Sequence, residues 1–512
     1  MFQPNEQQLA VFHWAKTGTG SLNLIARAGC GKTSTLVELS QRITGRAFLG
    51  AFNKAIASEL KARITSPNVE ASTMHSLGFR LWRKMRPNTE LDERKVYTLA
   101  RDKFPYDKKA LGVLLDAVGY AKQAGLGLEG KPYRDEALWT GIFDYYDLWD
   151  DMPSMVSPTR IIESCIQVYV TSLEMCDRAK SVIDFSDMIL APLLFSQGKL
   201  DWMQTFDWVM IDEAQDTNET RRQLAIAVLK KGGRLVAVGD PAQAIYGFAG
   251  ANNDSMELIK AQMNCVELPL SVTYRCPKTI VELAQTWVPD ITAHETAPQG
   301  EVEHISHLQF WLQDLHRSDA ILCRNTRPLL GIAKRLRKAG IRCMVEGASG
   351  KGLISLAGKW GNITITEFLE KLAEYQETEY GRYKAKENEA KAEAVLERCS
   401  ILRDMAERLD DLDTTDDLVK KIEWEFCGNL RDNENVLKLC TVHRSKGREW
   451  DRVFLIGRNR YMPSVWASQE WELEQETNLM YVAVTRVKKV LVEVDVPVPP
   501  RGQREEMDWW EL

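Results

Sequence analysis

Residues 22–43 read LNLIARAGCGKTSTLVELSQRI, and this stretch decides the fold. LNLIARA at 22–28 is a short apolar run, TSTLVELSQRI at 33–43 has apolar residues at helical spacing, and a glycine-rich turn separates them. The order is strand, loop, helix. Residues 26–33, ARAGCGKT, have the form [AG]xxxxGK[ST], with Ala26 where the strict pattern has glycine. Gly29 and Gly31 let the backbone turn its amides, that of Cys30 included, toward phosphate oxygens. Lys32 supplies a point charge to β and γ phosphates, and the Thr33 hydroxyl can hold magnesium.

Working outward, the same pattern recurs. FLGAF at 48–52 precedes a helix-like NKAIASEL, WVMID at 208–212 precedes EAQD, and RLVAVGD spans 234–240. Strands that end in polar loops and alternate with helices predict an α/β fold with an open parallel sheet, whose chemistry sits at the carboxyl ends of the strands. VMIDEAQD at 209–216 delivers two adjacent carboxylates to such an end. Asp212 is placed to hold Mg2+, and Glu213 to orient and deprotonate an attacking water. The next strand ends in Gly239, Asp240 and Pro241, and Gln243 just beyond is placed to sense a γ phosphate. Lys32 and Asp212 are 180 residues apart (212 − 32), too far for a few β/α units alone.

The intervening chain supplies the difference. From Leu77 to about Ser181 the pattern is mainly helical, with an aromatic, acidic stretch, LWTGIFDYYDLWDDM, at 138–152. A second β/α region is expected to begin near Val266, to be interrupted from about Gly350 to Asn435, and to resume with VLKLCTVH, DRVFLIG and KKVLVEVDV. The run Glu377 to Glu397, rich in Glu, Lys and Ala, reads as a solvated helix. A chain of 512 residues has room for roughly three or four domains. Its net charge of -6 is the wrong sign for a protein that coats nucleic acid everywhere, so a polyanion must meet a local groove. The ten cysteines show no CxxC pair and no spacing suited to zinc, which points to a reducing compartment without structural disulfides. Neither a leader peptide nor a membrane-length apolar run is evident.

Taken with the rest of the chain, these motifs resemble superfamily 1 DNA helicases of the UvrD/Rep type, closest to the F-box DNA helicase branch and its phage relatives. The motifs that carry the likeness are NEQQLAV (5–11), AGCGKTS (28–34), AFNKAIASEL (51–60), STMHSLGF (72–79) and DFSDM (184–188). IDEAQD (211–216), VGDPAQAIYGFAGA (238–251), TYRCP (273–277), TVHRSKGREW (441–450) and YVAVTRVKK (481–489) complete the set. The resemblance implies two RecA-like domains, each interrupted by a helical insertion. The first would be residues 1–76 and 182–265 with its insertion at 77–181; the second would be 266–349 and 436–512 with a reduced insertion at 350–435.

It also implies roles. ATP and Mg2+ would be the cofactors, with Thr33 and Asp212 on the metal and Ser34 in the nucleotide site. Gln7 would read adenine, Tyr274 stack on the base and Glu449 bind the ribose, while Arg275 and Arg486 reach the γ phosphate and stabilise the charge that develops there. Phe52, Tyr246 and Phe248 match the family's DNA-stacking positions, and Asn53, His75, His443 and Lys446 its polar strand contacts. A motor must hold any sequence, and stacking on aromatic faces is tolerant of sequence.

The implied activity is an ATP-dependent DNA helicase and 3'-to-5' single-stranded DNA translocase acting in repair, recombination or replication, on single strands and single-strand/duplex junctions. The rival reading is an ATP-gated single-strand binding or remodelling factor that displaces or recruits proteins without unwinding. The expected compartment is the cytoplasm of a bacterium or a phage-infected cell, or a nucleus in a eukaryote. A protein partner could dock on the insertions or on the acidic closing segment EEMDWWEL, although for that segment a frayed or packed terminus is the favoured reading. Some positions depart from the family: Phe248-Ala249 replaces its Trp-Arg pair, Thr273 replaces an asparagine, and the second insertion is about half the usual size. Cys30, inside the phosphate loop, raises the expectation of inactivation by alkylation, with ATP protecting.

Overall fold

The computed structural model describes residues 3–51, 53–149, 152–153, 155–196, 200–245, 254–346, 350–384, 395, 398–399, 401–403, 405–406, 413–426, 436–464, 467, 469–498 and 509. The chain divides into two units, Met1–Thr273 and Tyr274–Leu512. Each is built on a six-stranded sheet.

In the first unit the strands run Val69–Thr73, Ala47–Ala51, Phe206–Ile211, Leu229–Gly239, Leu22–Ala26 and Val266–Leu270 across the sheet, every neighbouring pair parallel. A parallel sheet is covered on both faces, so its inner strands must be apolar throughout rather than alternating. AFLGA at 47–51 is buried at all five positions. One face packs Leu36, Leu39, Leu60 and Val11 from the flanking helices. The other packs Leu77, Leu81, Leu224 and Ile259.

Arg234 fastens the first helix, Glu6–Thr17, to this sheet. Its guanidinium lies 3.9 Å from the Trp14 ring centre and 4.4 Å from that of Trp208. It donates to the carbonyls of Trp14, Ala15 and Gly20. The stacked cation and its three carbonyl contacts fix the entry of the chain.

The expected start of the second β/α region near Val266 is corrected. Val266–Leu270 pairs with Leu22–Ala26 and is the outer strand of the first sheet. Its half-exposed VELPL pattern, with Pro269 lacking a donor, suits an edge position. Apolar content alone could not say which sheet such a strand would join.

Between the third and fourth strands of the sheet in chain order lie the helices Met74–Met85, Lys95–Arg101, Lys108–Gln123, Glu136–Tyr145 and Pro158–Asp177. Most of them enclose an apolar cluster of their own around Leu114, Val118, Trp139, Phe143 and Tyr169. At its base two lysines and two aspartates are buried together. The Lys95 ammonium bonds Asp187 at 2.6 Å, and that of Lys122 bonds Asp184 at 2.6 Å and Asp187 at 2.7 Å.

In the second unit the order is Glu301–Ser306, Val487–Asp495, Trp450–Ile456, Asp319–Cys323, Leu437–Thr441 and Cys343–Glu346, again all parallel. The helices Gly350–Ala357, Ile365–Lys384 and Thr415–Phe426 contribute to a separate apolar cluster that includes Leu353, Phe368, Leu372, Leu418 and Ile422. The Glu/Lys/Ala run from 377 begins as the end of the helix Ile365–Lys384, while most of its remainder lies outside the described residues. Among the described residues no helix is long and apolar enough to cross a membrane.

In the closing segment Trp509 packs into the fold, as expected of a packed terminus. The ring is fully buried in the core of the second unit, donates to the Tyr461 hydroxyl at 3.1 Å and meets the edge of His307. An indole satisfied in this way is part of the fold. Trp510 lies outside the described residues.

Candidate active site

The site of the first unit follows from its strand order. The strand Leu22–Ala26 leads into the glycine loop and Phe206–Ile211 leads into Asp212. One strand, Leu229–Gly239, stands between them and ends at Asp240. Three adjacent carboxyl ends thus converge, as expected for an open parallel sheet.

Gly29 and Gly31 have φ of 72° and 84°, the left-handed region that glycine enters without penalty. Gly31 caps the helix Lys32–Ser40, whose first turn presents backbone amides and the positive end of its dipole. The Lys32 ammonium lies 3.6 Å from Glu213 Oε2. Burial alone would lower its pKa, but the nearby carboxylates, Glu213 first and then Asp240 and Asp212, hold it above the ordinary value, so the lysine stays cationic. The Thr33 hydroxyl donates to Asp212 Oδ2 at 3.4 Å. Burial, with the Glu213 charge beside it, pushes the Asp212 carboxyl up to about 7.

A hydroxyl and a carboxylate side by side are the hard oxygen donors that Mg2+ takes, and Mg2+ characteristically completes its shell with water and phosphate oxygens. Among the described residues no cluster of three His, Cys, Asp or Glu side chains is placed to hold a metal by itself. Thr33 and Asp212 fit the ion.

Glu213 has φ +53°, a left-handed conformation uncommon for a non-glycine residue. Gln215 donates to Glu213 Oε2 at 2.5 Å, and the Gln215 carbonyl accepts from the Asp240 amide at 3.1 Å. Asp240 in turn accepts from Arg27 at 2.9 Å and from Gln243 at 2.7 Å. The sequence placed Lys32, Thr33, Asp212, Glu213 and Gln243 here, and the structure brings them together. Arg27, Gln215 and Asp240 were missed as partners, because the contacts that link them to one another, Gln215–Asp240 and Arg27–Asp240, join residues 25 and 213 apart in sequence.

Gln7 and Gln8 differ in role. The Gln7 amide exchanges two hydrogen bonds with Ser271, both 2.9 Å. It is Gln8 that touches the helix of the phosphate loop, donating to Thr35 at 3.0 Å. Ser34 accepts from Arg63.

The Cys30 expectation is corrected. The thiol is 1% exposed, and burial pushes it up to about 12. The thiolate is the reactive form, and this environment suppresses it.

Of the residues assigned to DNA, Phe52, Tyr246 and Phe248 lie outside the described residues. Asn53 is exposed and caps the helix Lys54–Arg63 by accepting from the Ile56 amide at 2.9 Å. His75, in the first turn of Met74–Met85, is pulled down to about 4 by burial and by the Arg221 charge.

In the second unit three of the assigned residues are close neighbours. Arg275 donates to Glu449 and to the Thr485 carbonyl. Arg486 is 1% exposed and packed inside the unit, donating to the Val482 and Arg448 carbonyls and to the Thr485 hydroxyl. The half-exposed Tyr274 ring lies 4.7 Å from that of His294. His443 is pulled down to about 3 by burial, with Arg324 and Lys446 adding to it. Arg324, which sequence reasoning did not single out, stands just beyond the strand next to that of His443 and is held by both oxygens of Glu476.

A phosphate loop, a paired-carboxylate strand end and a second parallel-sheet unit define a P-loop ATPase built from two RecA-like domains. Residues 4–264 match the UvrD/REP helicase N-terminal domain and residues 346–493 the UvrD-like helicase C-terminal domain. The chain belongs to the UvrD/Rep family of superfamily 1, and as such is an ATP-dependent DNA helicase.

Similar proteins include a probable DNA helicase II homolog of Mycoplasma capricolum, 23% identical over 95% of this chain and 83% of that protein. The ATP-dependent DNA helicase Rep of Escherichia coli is 25% identical over 55% of this chain and 42% of its own length. The F-box DNA helicase protein 1 of Schizosaccharomyces pombe is 24% identical over 92% and 55%.

Proposed function

We propose that the chain is a 3'-to-5' single-stranded DNA translocase that unwinds duplex DNA from single-strand/duplex junctions at the expense of Mg-ATP. The observation that carries this reading is the convergence of Lys32, Thr33, Asp212, Glu213 and Gln243 at three adjacent strand ends.

In this reading the amides of Gly29, Cys30 and Gly31 and the Lys32 ammonium cradle the β and γ phosphates, with Ser34 beside them. Thr33 and Asp212 hold Mg2+, which supplies charge neutralisation on the phosphate oxygens. Glu213 takes the proton of the attacking water, and Gln243 senses the γ phosphate. Gln7, Tyr274 and Glu449 bind the nucleoside; Arg275 donates to the transferring phosphoryl group, and Arg486 does so on exchanging its bonds to the Val482 and Arg448 carbonyls and the Thr485 hydroxyl for phosphoryl oxygens. The strand is held by Phe52, Tyr246 and Phe248 through stacking and by Asn53, His75, His443 and Lys446 through polar contacts. Alternating grip, timed by hydrolysis, gives directed steps. The setting is repair, recombination or replication, in the cytoplasm or, in a eukaryote, the nucleus.

Strand separation on 3'-tailed and 5'-tailed duplexes, measured beside DNA-stimulated ATPase, tests the proposal. Unwinding of the 3'-tailed substrate alone is expected. ATP turnover without strand separation on either substrate would favour a remodelling factor, and preference for the 5' tail would overturn the polarity.

A further inference from the structure

We propose that Gln215 is a positioning residue that ties the general base Glu213 to the phosphate-sensing segment Asp240–Gln243, with Arg27 anchoring the same segment to the phosphate loop. The inference rests on the nucleotide-site reading given above and deepens it.

The Gln215 side chain is fully buried, and both ends of its amide are used. Its NH2 holds Oε2 of Glu213 at 2.5 Å, and its carbonyl accepts the Asp240 backbone amide at 3.1 Å. A buried amide bonded at both ends has one geometry, so the carboxylate and the turn at 240 move as one piece. The backbone leaves room for nothing else: a Cβ on Gly239 would stand 2.3 Å from Gln215 Oε1.

Asp240, itself fully buried, divides its two oxygens. Oδ1 accepts from Arg27 at 2.9 Å and Oδ2 from Gln243 at 2.7 Å. Arg27 lies inside the loop that would hold the phosphates, and Gln243 is the group that would meet the γ phosphate. A displacement of either is therefore handed through Asp240 and Gln215 to the carboxylate that activates water. Glu213 is also the residue whose backbone is left-handed, and conformations of that kind persist only where the surroundings over-determine them. The relay is such a surrounding. It fixes the aim of the base relative to the segment that would meet the γ phosphate, so that turnover depends on the position of both.

The test uses the full chain. Gln215→Met keeps side-chain length and removes both hydrogen bonds; its kcat for DNA-stimulated ATP hydrolysis is expected to fall about tenfold or more, with KM for ATP and affinity for a fluorescent ATP analogue within about twofold. Combined with Gln243→Ala, it should lower kcat little further than the worse single change, since both cut one chain. Arg27→Met should lower kcat in the same way, and Arg27→Lys should recover at least half of that loss. The Arg27 pair carries the test if Gln215→Met does not fold.

Wild-type kcat in Gln215→Met, losses that multiply in the double variant, or an Arg27→Met enzyme that turns over normally would each overturn the relay. A wild-type chain that does not hydrolyse ATP in the presence of DNA would instead overturn the reading on which the relay depends, and the relay with it.

Discussion

The Lys32 ammonium stands 3.6 Å from the Glu213 carboxylate, so that the residue expected to hold phosphate and the one expected to activate water share one pocket. The pairing keeps the lysine charged despite its burial. It also means that the carboxylate can be neutralised without removing the phosphate cradle.

Glu213→Gln is accordingly expected to bind ATP and single-stranded DNA with near-normal affinity while losing turnover by about 10²- to 10⁴-fold, the usual worth of a positioned base. The Gln215 donor retains an acceptor in the new amide, so the local fold stands. Steady-state ATPase beside nucleotide and oligonucleotide titrations decides the matter, and ATPase within a few-fold of wild type would remove Glu213 from the role.

Asp187 accepts from both Lys95 and Lys122, each at the edge of the helical layer and each almost wholly buried. Asp187→Ala leaves the buried Lys95 without a carboxylate, held by the Ser172 and Val182 carbonyls and the Cys176 thiol, while Lys122 keeps Asp184; this should cost about 3–5 kcal/mol. The double change Lys122→Met with Asp184→Asn removes one charge of each sign and leaves Lys95 with Asp187. It is expected to destabilise by less than the sum of its single changes. Urea or thermal unfolding of the four variants measures this, and additive losses would show that the charges do not act as a network.

Buried in the loop, the Cys30 thiol gives a prediction opposite to the one its sequence position suggests. Iodoacetamide should modify it far more slowly in the native chain than in urea-unfolded chain, because the buried thiol is reached only when the structure opens. Mass spectrometry of the peptide spanning residues 28–32 reads this directly. Modification of the native chain as fast as that of the unfolded chain would restore the reactive-thiol account.

The nucleotide site was legible in the sequence because its signals are local. Glycines at 29 and 31, a lysine and a threonine at fixed offsets, and an apolar strand closing on Asp212 and Glu213 each state their own geometry. What escaped is what depends on distant partners. Nothing about Arg27 in ARAGCGKT says that it meets Asp240, and Lys122 in YAKQ looks like a solvated helix end until Asp184 and Asp187 fold over it. Membership of Val266–Leu270 in the first sheet was hidden for the same reason, since a strand's own residues do not name its neighbour. Trp509 could not be told from a free anchor before Tyr461 and His307 were seen around it.

His75 and His443 are both depressed by burial, to about 4 and about 3. At neutral pH both imidazoles are uncharged in the DNA-free chain, and this sets a pH dependence of stability. In the unfolded chain these imidazoles take up protons near 6.5, whereas in the folded chain they stay neutral down to about 4 and about 3. The unfolded state thus binds more protons throughout that window. The two sites contribute no pH dependence above about pH 7, and their contribution to stability falls as pH drops from about 6.5 toward 4. Thermal midpoints of wild type, His75→Gln and His443→Gln across pH 8 to 4.5 test this. Each variant should show a shallower acid-side decline than wild type, and an identical slope in all three would mean that neither imidazole is buried in its neutral form.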